Sequence, residues 1–109
     1  MKTARDIMTE KVITVTQDTP IEKLSELFIQ HGINGLPVVD EGGQVIGVVR
    51  RASLLAAPRR ATIESLMENP VTVPWDAPVS AAETAVQSLD GSPPPVVDPD
   101  GRLMGQISI

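Results

Sequence analysis

The chain contains an internal repeat, and this repeat limits its fold more than any other feature. A shift of 58 positions (71 minus 13) places residues 13–51 over residues 71–109 of the 109-residue chain. The repeat predicts two copies of one structural unit, which we place at 1–57 and 58–109. Pro58 lies at the joint, where it would end a helix. Identical residues in the two copies are Thr14 and Thr72, Val15 and Val73, Asp18 and Asp76, Pro20 and Pro78, Pro37–Asp40 and Pro95–Asp98, Gly43 and Gly101, and Gly47 and Gly105.

The first half of the unit is predicted to be a strand followed by a helix. Residues 12–15 are a short run of β-branched side chains, which is typical of a strand. Residues 19–22 (Thr-Pro-Ile-Glu) form a candidate capping box with proline at the first helical position. Apolar residues then recur at helical spacing up to Gly32, which is a candidate helix stop.

The second half of the unit is predicted to be a hairpin and a short helix. Residues 36–39 and 44–50 form two strands around a turn at Asp40–Gly43. A helix over residues 52–57 closes the unit. The second copy repeats this order with a helix over 79–89 and a turn at Pro99–Gly101. We therefore predict a mixed α/β (α+β) fold of two β-α-β-β-α units, whose sheets pack together because neither unit buries its apolar face alone.

Glycines and methionines recur at matching places in the two copies. Gly47 and Gly105 stand inside predicted strands, where glycine costs stability, so either a close neighbouring backbone or a ligand would explain them. A one-residue gap ahead of the aligned block also places Met8 over Met67. We interpret both methionines as packing residues.

Composition excludes several classes of function. There is no cysteine and only one histidine, so disulfides, thiolate metal sites and multi-histidine metal sites are excluded. A net charge of −5 and an aromatic content of 2% disfavour nucleic-acid binding. No apolar stretch is long enough for membrane insertion, and we expect a cytoplasmic protein. No pairing of a nucleophile with a base is evident, so we predict that the chain is not an enzyme.

The ordered motifs resemble the cystathionine beta-synthase (CBS) domain. They are Asp6-Ile7-Met8-Thr9, Val12-Ile13-Thr14-Val15, Asp18-Thr19-Pro20, Gly35-Leu36-Pro37-Val38-Val39-Asp40 and Gly47-Val48-Val49. Two such units in tandem resemble a CBS pair over nearly the whole chain. The resemblance implies two units related by a pseudo-twofold axis and often a homodimer. It also implies a non-catalytic regulatory module, attached to or acting on a partner effector protein, that binds adenosine-type ligands in clefts between units.

The resemblance places one ligand cleft in the first unit. Apolar side chains would cover the faces of adenine, and the backbone of residues 34–36 would read its edge. AMP, ADP, ATP or S-adenosylmethionine are the expected regulatory ligands, and no cofactor is required. The candidate ligand-binding residues are Thr9, Val12, Ile13, Ile33, Asn34, Gly35, Leu36, Pro37, Arg50 and Ser53.

Two departures from the family pattern bear on these clefts. Many nucleotide-binding members have a threonine and, three residues later, a ribose-binding aspartate after the third strand, and here those positions are Arg50 and Ser53. In the second unit Ser108 takes the threonine position and the chain ends at Ile109. We therefore expect that the sequence is a piece of a longer protein.

The two clefts are predicted to differ. Three successive prolines at residues 93–95 offer no N–H donor, so we expect the second cleft to be weak or empty. Arg50, Arg51, Arg59 and Arg60 favour an anionic ligand in the first cleft, although they would also fit a solvated surface. The lead hypothesis is therefore a nucleotide sensor that signals through dimer rearrangement. The alternative is a dimerisation or scaffold module whose degenerate clefts bind nothing.

Overall fold

The first half of the chain forms three helices and a hairpin, of which the first helix was not predicted. In the computed structural model, which describes residues 2–58, 60–87 and 93–107, α1 spans Ala4–Ile7 and α2 spans Ile21–His31. Strands β1 (Gly35–Val39) and β2 (Val45–Arg50) pair antiparallel, and α3 (Arg51–Leu55) follows β2 directly.

The second half repeats this order. Helix α4 (Ile63–Leu66) leads into β3 (Val73–Pro74), α5 (Val79–Gln87), β4 (Pro95–Val97) and β5 (Leu103–Gln106). The strand order β3-β4-β5 is parallel and then antiparallel. The predicted helix end at residue 89 lies outside the described residues. No helix in the described ranges combines the length and the apolar character that a bilayer-spanning helix needs.

The two hairpins are equivalent residue by residue at the predicted shift. Val38 pairs with Gly47 in one hairpin, and Val96 pairs with Gly105 in the other. In both turns an aspartate side chain accepts two backbone N–H groups, Asp40 from residues 42 and 44 and Asp98 from residues 100 and 102, each at 2.9 Å. The turn predictions are confirmed.

A pseudo-twofold axis runs between the two turns. Gln44 and Arg102, which are equivalent positions, face each other in an antiparallel bridge. The Val45 amide donates to the Gly101 carbonyl at 3.0 Å, and the equivalent Leu103 amide donates to the Gly43 carbonyl at 2.9 Å. These reciprocal bonds confirm the predicted arrangement of the two units and join the two hairpins directly.

The segments that precede each unit's first strand exchange places. The N-terminal segment (residues 3–9) packs on the second unit, where Thr9 and Gln106 exchange backbone hydrogen bonds of 2.8 and 2.9 Å. The linker segment (residues 62–68) packs on the first unit, where Glu68 and Val48 exchange bonds of 2.8 and 3.0 Å. The division of the chain at residue 57 stays a prediction, but each sheet is completed at one edge by the other unit's leading segment.

The two hydrophobic cores reflect this exchange. The first core contains Val15, Leu24, Phe28, Leu36, Val38 and Val49, together with Ile63 from the linker segment. The second core contains Val73, Ala82, Val96 and Ile107, together with Ala4 from the N-terminal segment. Burial of an isoleucine-sized side chain contributes about 2 kcal/mol, so Ile63 fastens the linker segment to the first unit.

The N-terminal segment is also held by polar contacts. The Thr3 amide donates to Asp6 Oδ2 at 2.8 Å and its hydroxyl donates at 3.2 Å, and these bonds hold the pKa of the Asp6 carboxyl below its ordinary value of 3.8. The Arg5 guanidinium lies 5.8 Å from the ring centre of Trp75, over which it stacks. The amides of Ala4 and Arg5 donate to the carbonyls of Ala77 and Trp75 at 2.8 and 3.0 Å.

Three local predictions need correction. The predicted strand at residues 12–15 is reduced to one parallel bridge, between Val15 and Val38, because the segment is crossing from one sheet to the other. The predicted capping box at residues 19–22 is wrong: Pro20 is the N-cap, and the Thr19 hydroxyl instead accepts from the Thr16 amide at 3.0 Å. The third helix begins one residue earlier than predicted and ends at Leu55. The Gly32 stop is confirmed by its φ of 60°.

The strand glycines are explained by the exchanged segments. A Cβ on Gly105 would lie 2.6 Å from the Thr9 carbonyl oxygen and 2.8 Å from Met8 Sδ. A Cβ on Gly47 would lie 3.1 Å from both the Glu68 carbonyl oxygen and Met67 Sδ. The alternative of a close backbone is therefore correct, and both methionines are packing residues as predicted, each lying against one of these glycines.

We expect Gly105→Ala to destabilise the fold by about 1–3 kcal/mol, because the methyl group must displace backbone rather than a flexible side chain. Gly47→Ala should cost less, since its nearest contacts are longer. Urea denaturation of the unmodified protein, Gly105→Ala and Gly47→Ala measures the change in the free energy of unfolding. Gly42→Ala is the matched control, because its Cβ would meet only Asp40 Oδ1 at 3.5 Å. A Gly105→Ala protein as stable as the control would contradict the close crossing.

Candidate functional site

One end of the first hairpin gathers the polar candidate residues. Gly35 pairs with Arg50 in the ladder, and the Arg51 amide donates to the Asn34 carbonyl at 2.9 Å. Helix α3 begins at Arg51, so Ser53 lies in its first turn and is half-buried. The structure therefore brings Asn34, Gly35, Arg50 and Ser53 to the end of the hairpin where β2 passes into α3.

The apolar candidates lie beside this end, in the first core. Ile13 and Ile33 are half-buried and pack against the core, to which Leu36 belongs. Leu36 pairs with Val49 in the ladder, and the Pro37 carbonyl accepts the Val15 amide at 3.1 Å. Leu36 and Pro37 are fully engaged in the sheet and the core. Of the apolar candidates at this end, the half-buried Ile13 and Ile33 retain exposed surface for a ligand.

Thr9 and Val12 lie elsewhere. Thr9, a candidate residue of the first cleft, is exposed and is paired with Gln106 on the edge of the second sheet. Its displacement follows from the segment exchange. Val12 lines a cavity of about 280 Å³ near the pseudo-twofold axis, together with residues of both units. The other lining residues are Glu10, Thr14, Val39, Gly43, Leu103 and Met104.

Glu68 takes the place on the first unit that Thr9 takes on the second. Its backbone is bonded to Val48, and its carboxylate Oε2 lies 2.9 Å from Arg50 Nε. Glu68 is not among the candidate residues predicted from the sequence. The signal was present in the match of Met8 with Met67, which also places Thr9 over Glu68, but it points to the site only once the segments are known to exchange.

The predicted arginine group is divided in the structure. Arg50 is half-buried and forms the ion pair with Glu68, whereas Arg51 is exposed. Arg60 lines a separate cavity of about 310 Å³ at the start of α2. Arg59 lies outside the described residues. The expectation of an anionic ligand therefore loses much of its support, because the charge of Arg50 is balanced by a carboxylate and Arg60 faces another cavity.

The equivalent end of the second hairpin is built from proline. Pro94 and Pro95 are buried, and the Pro94 carbonyl accepts the Ile107 amide at 3.0 Å. Residues 93–95 provide no backbone N–H group to a ligand. Ser92, Ser108 and Ile109 lie outside the described residues. Within the described ranges no group of three or more histidine, aspartate or glutamate side chains is arranged to hold a metal ion.

Comparison with known proteins identifies the family. A family model for the CBS domain matches residues 4–60, and the chain belongs to this family. The chain is 30% identical over 107 residues to L-aspartate semialdehyde sulfurtransferase of Methanocaldococcus jannaschii. The matched region covers 95% of this chain and 21% of that protein. The chain thus spans about a fifth of the length of the first curated relatives that it matches.

Two solved structures share the fold and carry adenosyl ligands. The CBS domain pair of protein MJ0100, in complex with 5′-methylthioadenosine and S-adenosyl-L-methionine, is 29% identical with a TM-score of 0.83 and covers 98% of this chain and 89% of that chain. CBSX2 in complex with AMP is 27% identical with a TM-score of 0.85, covering 97% of this chain and 89% of that chain. The two-unit architecture is therefore that of a CBS pair.

The Arg50–Glu68 ion pair is expected to contribute at most about 1 kcal/mol to stability, because solvent screens a partly exposed pair. Its side chains are 27% and 51% exposed. A double-mutant cycle of Arg50→Gln and Glu68→Gln in urea denaturation measures the coupling. The same cycle on Lys23 and Glu26, whose 3.8 Å pair is more exposed, is the control and should give a smaller coupling. A coupling of several kcal/mol would show that the pair is structural and that a ligand cannot readily displace it.

Proposed function

We propose that this chain is a non-catalytic regulatory module that binds an adenosine-type ligand at the end of the first hairpin. The observation that carries the proposal is its likeness, over nearly its full length, to two CBS pairs solved with adenosyl ligands. Half-buried Ile13 and Ile33 would cover an adenine face, and Ser53 would bond a ribose hydroxyl. Binding would alter the arrangement of two copies in a homodimer and so act on an attached or partner effector protein.

The proposed ligand class is AMP, ADP, ATP or S-adenosylmethionine, with no required cofactor. The second hairpin would bind such ligands weakly or not at all, because residues 93–95 lack donors. The first hairpin would hold ribose less tightly than a carboxylate does, since a serine hydroxyl offers no charge-assisted bidentate bond. We therefore expect modest affinity from a single cleft.

A ligand-free scaffold is the second candidate function. It is favoured by Ser53 at the ribose position and by the proline run in the second unit. Under this alternative the pair of units would serve only to hold two copies of a larger protein together. The two functions differ in whether any adenosyl compound releases or absorbs heat when it is titrated into the protein, or changes the melting temperature of the protein.

Isothermal titration with AMP, ADP, ATP and S-adenosylmethionine tests the proposal, and Ser53→Asp locates the site. We expect about one ligand per chain and about tenfold tighter binding by Ser53→Asp, because a carboxylate accepts both ribose hydroxyls. Ser80→Asp is the matched control, since Ser80 is exposed on α5. Sedimentation with and without ligand measures whether the protein is a dimer and whether ligand binding changes it.

Three outcomes separate the candidates. Binding that Ser53→Asp strengthens and Ser80→Asp leaves unchanged supports a sensor with its site in the first unit. Binding that neither substitution changes would move the site away from Ser53. The absence of heat and of thermal shift with all four ligands at millimolar concentration would reject the sensor and leave the scaffold.

A further inference from the structure

Glu68 is fixed beside Arg50 by its backbone as well as by its charge. Its amide and carbonyl exchange hydrogen bonds of 2.8 and 3.0 Å with Val48, two residues before Arg50 on β2. Its carbonyl oxygen would lie 3.1 Å from a Cβ on Gly47, so the linker segment crosses β2 at close range. The carboxylate is thus held where it meets the Arg50 guanidinium, with an Oε2–Nε distance of 2.9 Å.

This pair sits at the proposed ligand-binding end of the hairpin. Arg50 pairs with Gly35 in the β1–β2 ladder. The next residue, Arg51, donates its amide to the Asn34 carbonyl and begins the helix that carries Ser53. A phosphate group that approached Arg50 would meet a carboxylate already on the guanidinium. The phosphate would have to displace Glu68 or accept repulsion from it. An adenosyl ligand without phosphate would meet neither cost.

We propose that Glu68 is a specificity-determining residue, which makes the site in the first unit favour adenosyl ligands without phosphate over nucleotides. The inference rests on the proposed function, because it assumes that an adenosyl ligand binds beside Arg50. It reverses the charge preference that the arginines alone would give. Glu68 sets the preference through Arg50, and it need not contact the ligand itself.

The size of the effect follows from the exposure of the pair. The side chains of Arg50 and Glu68 are 27% and 51% exposed, so water and salt weaken the repulsion. A charge-assisted hydrogen bond to an Arg50 guanidinium no longer paired with Glu68 would nevertheless strengthen phosphate binding markedly. We expect release of Arg50 to tighten binding of a phosphate-bearing ligand about tenfold.

The test compares AMP with 5′-methylthioadenosine, which share the adenosine and differ at the 5′ position. Glu68→Gln is expected to lower the Kd for AMP about tenfold and to change the Kd for 5′-methylthioadenosine less than twofold, as measured by titration calorimetry at fixed salt. Glu83→Gln makes the same change of charge on the exposed face of α5 and should change neither Kd.

The variant Arg50→Gln isolates the mechanism. Adding it to Glu68→Gln should abolish the gain for AMP, because the gain requires the Arg50 guanidinium. Equal effects of Glu68→Gln on both ligands, no effect on either, or a gain for AMP that survives Arg50→Gln would each overturn the inference while leaving the binding function in place. If neither ligand binds any of the folded variants, the proposed function fails, and this inference fails with it.

Discussion

The crossing of each leading segment over a strand glycine is the contact on which the rest of the structure depends. Thr9 passes over Gly105, and Glu68 passes over Gly47, close enough that a methyl group on either glycine would crowd the crossing backbone. The crossings let each unit complete the sheet edge of the other. They also carry Ala4 and Ile63 into the opposite cores. Without them, each unit would leave a sheet edge and an apolar face exposed.

The two units are also coupled at the turns. Two reciprocal backbone bonds join residues 43–45 to residues 101–103, and the Gln44 side chain donates to the Asp100 carbonyl at 2.7 Å. The units are therefore connected both at the pseudo-twofold axis and through the exchanged segments. A displacement of one hairpin must be accommodated by the other, because the turns are hydrogen-bonded to each other and close-packed interiors transmit strain.

Periodicity and the repeat were sufficient to predict the elements that depend on local sequence. The hairpins, their aspartate turns and the Gly32 stop depend on residues a few positions apart, and the shift of 58 (71 minus 13) correctly aligned the pairing of Val38 with Gly47 and of Val96 with Gly105. The exchange of segments was not predictable in this way. Nothing in the sequence of residues 3–9 itself indicates whether the segment packs on the first unit, which it precedes, or on the second unit.

The unexpected positions of Thr9 and Glu68 have that same cause. Thr9 was assigned to the first unit because it precedes that unit's strand in sequence, and Glu68 was overlooked because it lies beyond the joint at Pro58. The predicted capping box at residues 19–22 is absent for a different reason. The Thr19 hydroxyl accepts a hydrogen bond from the Thr16 amide, which precedes it in the chain, instead of from an amide of the helix. Only the three-dimensional register reveals that Glu68 and Arg50 are neighbours.

The position of Glu68 gives the proposed site a direct path to the other unit. The linker segment carries Ile63 into the first core, and Glu68 is followed within a few residues by Val73, which is buried in the second core as part of β3. A phosphate group that drew Arg50 away from Glu68 would therefore act on a segment that is anchored in both cores. The partly exposed ion pair is weak enough to be exchanged, whereas the backbone bonds to Val48 keep the segment in place. This combination lets the ion pair discriminate between ligands without loosening the segment, because the exchangeable contact and the structural contacts belong to the same residue.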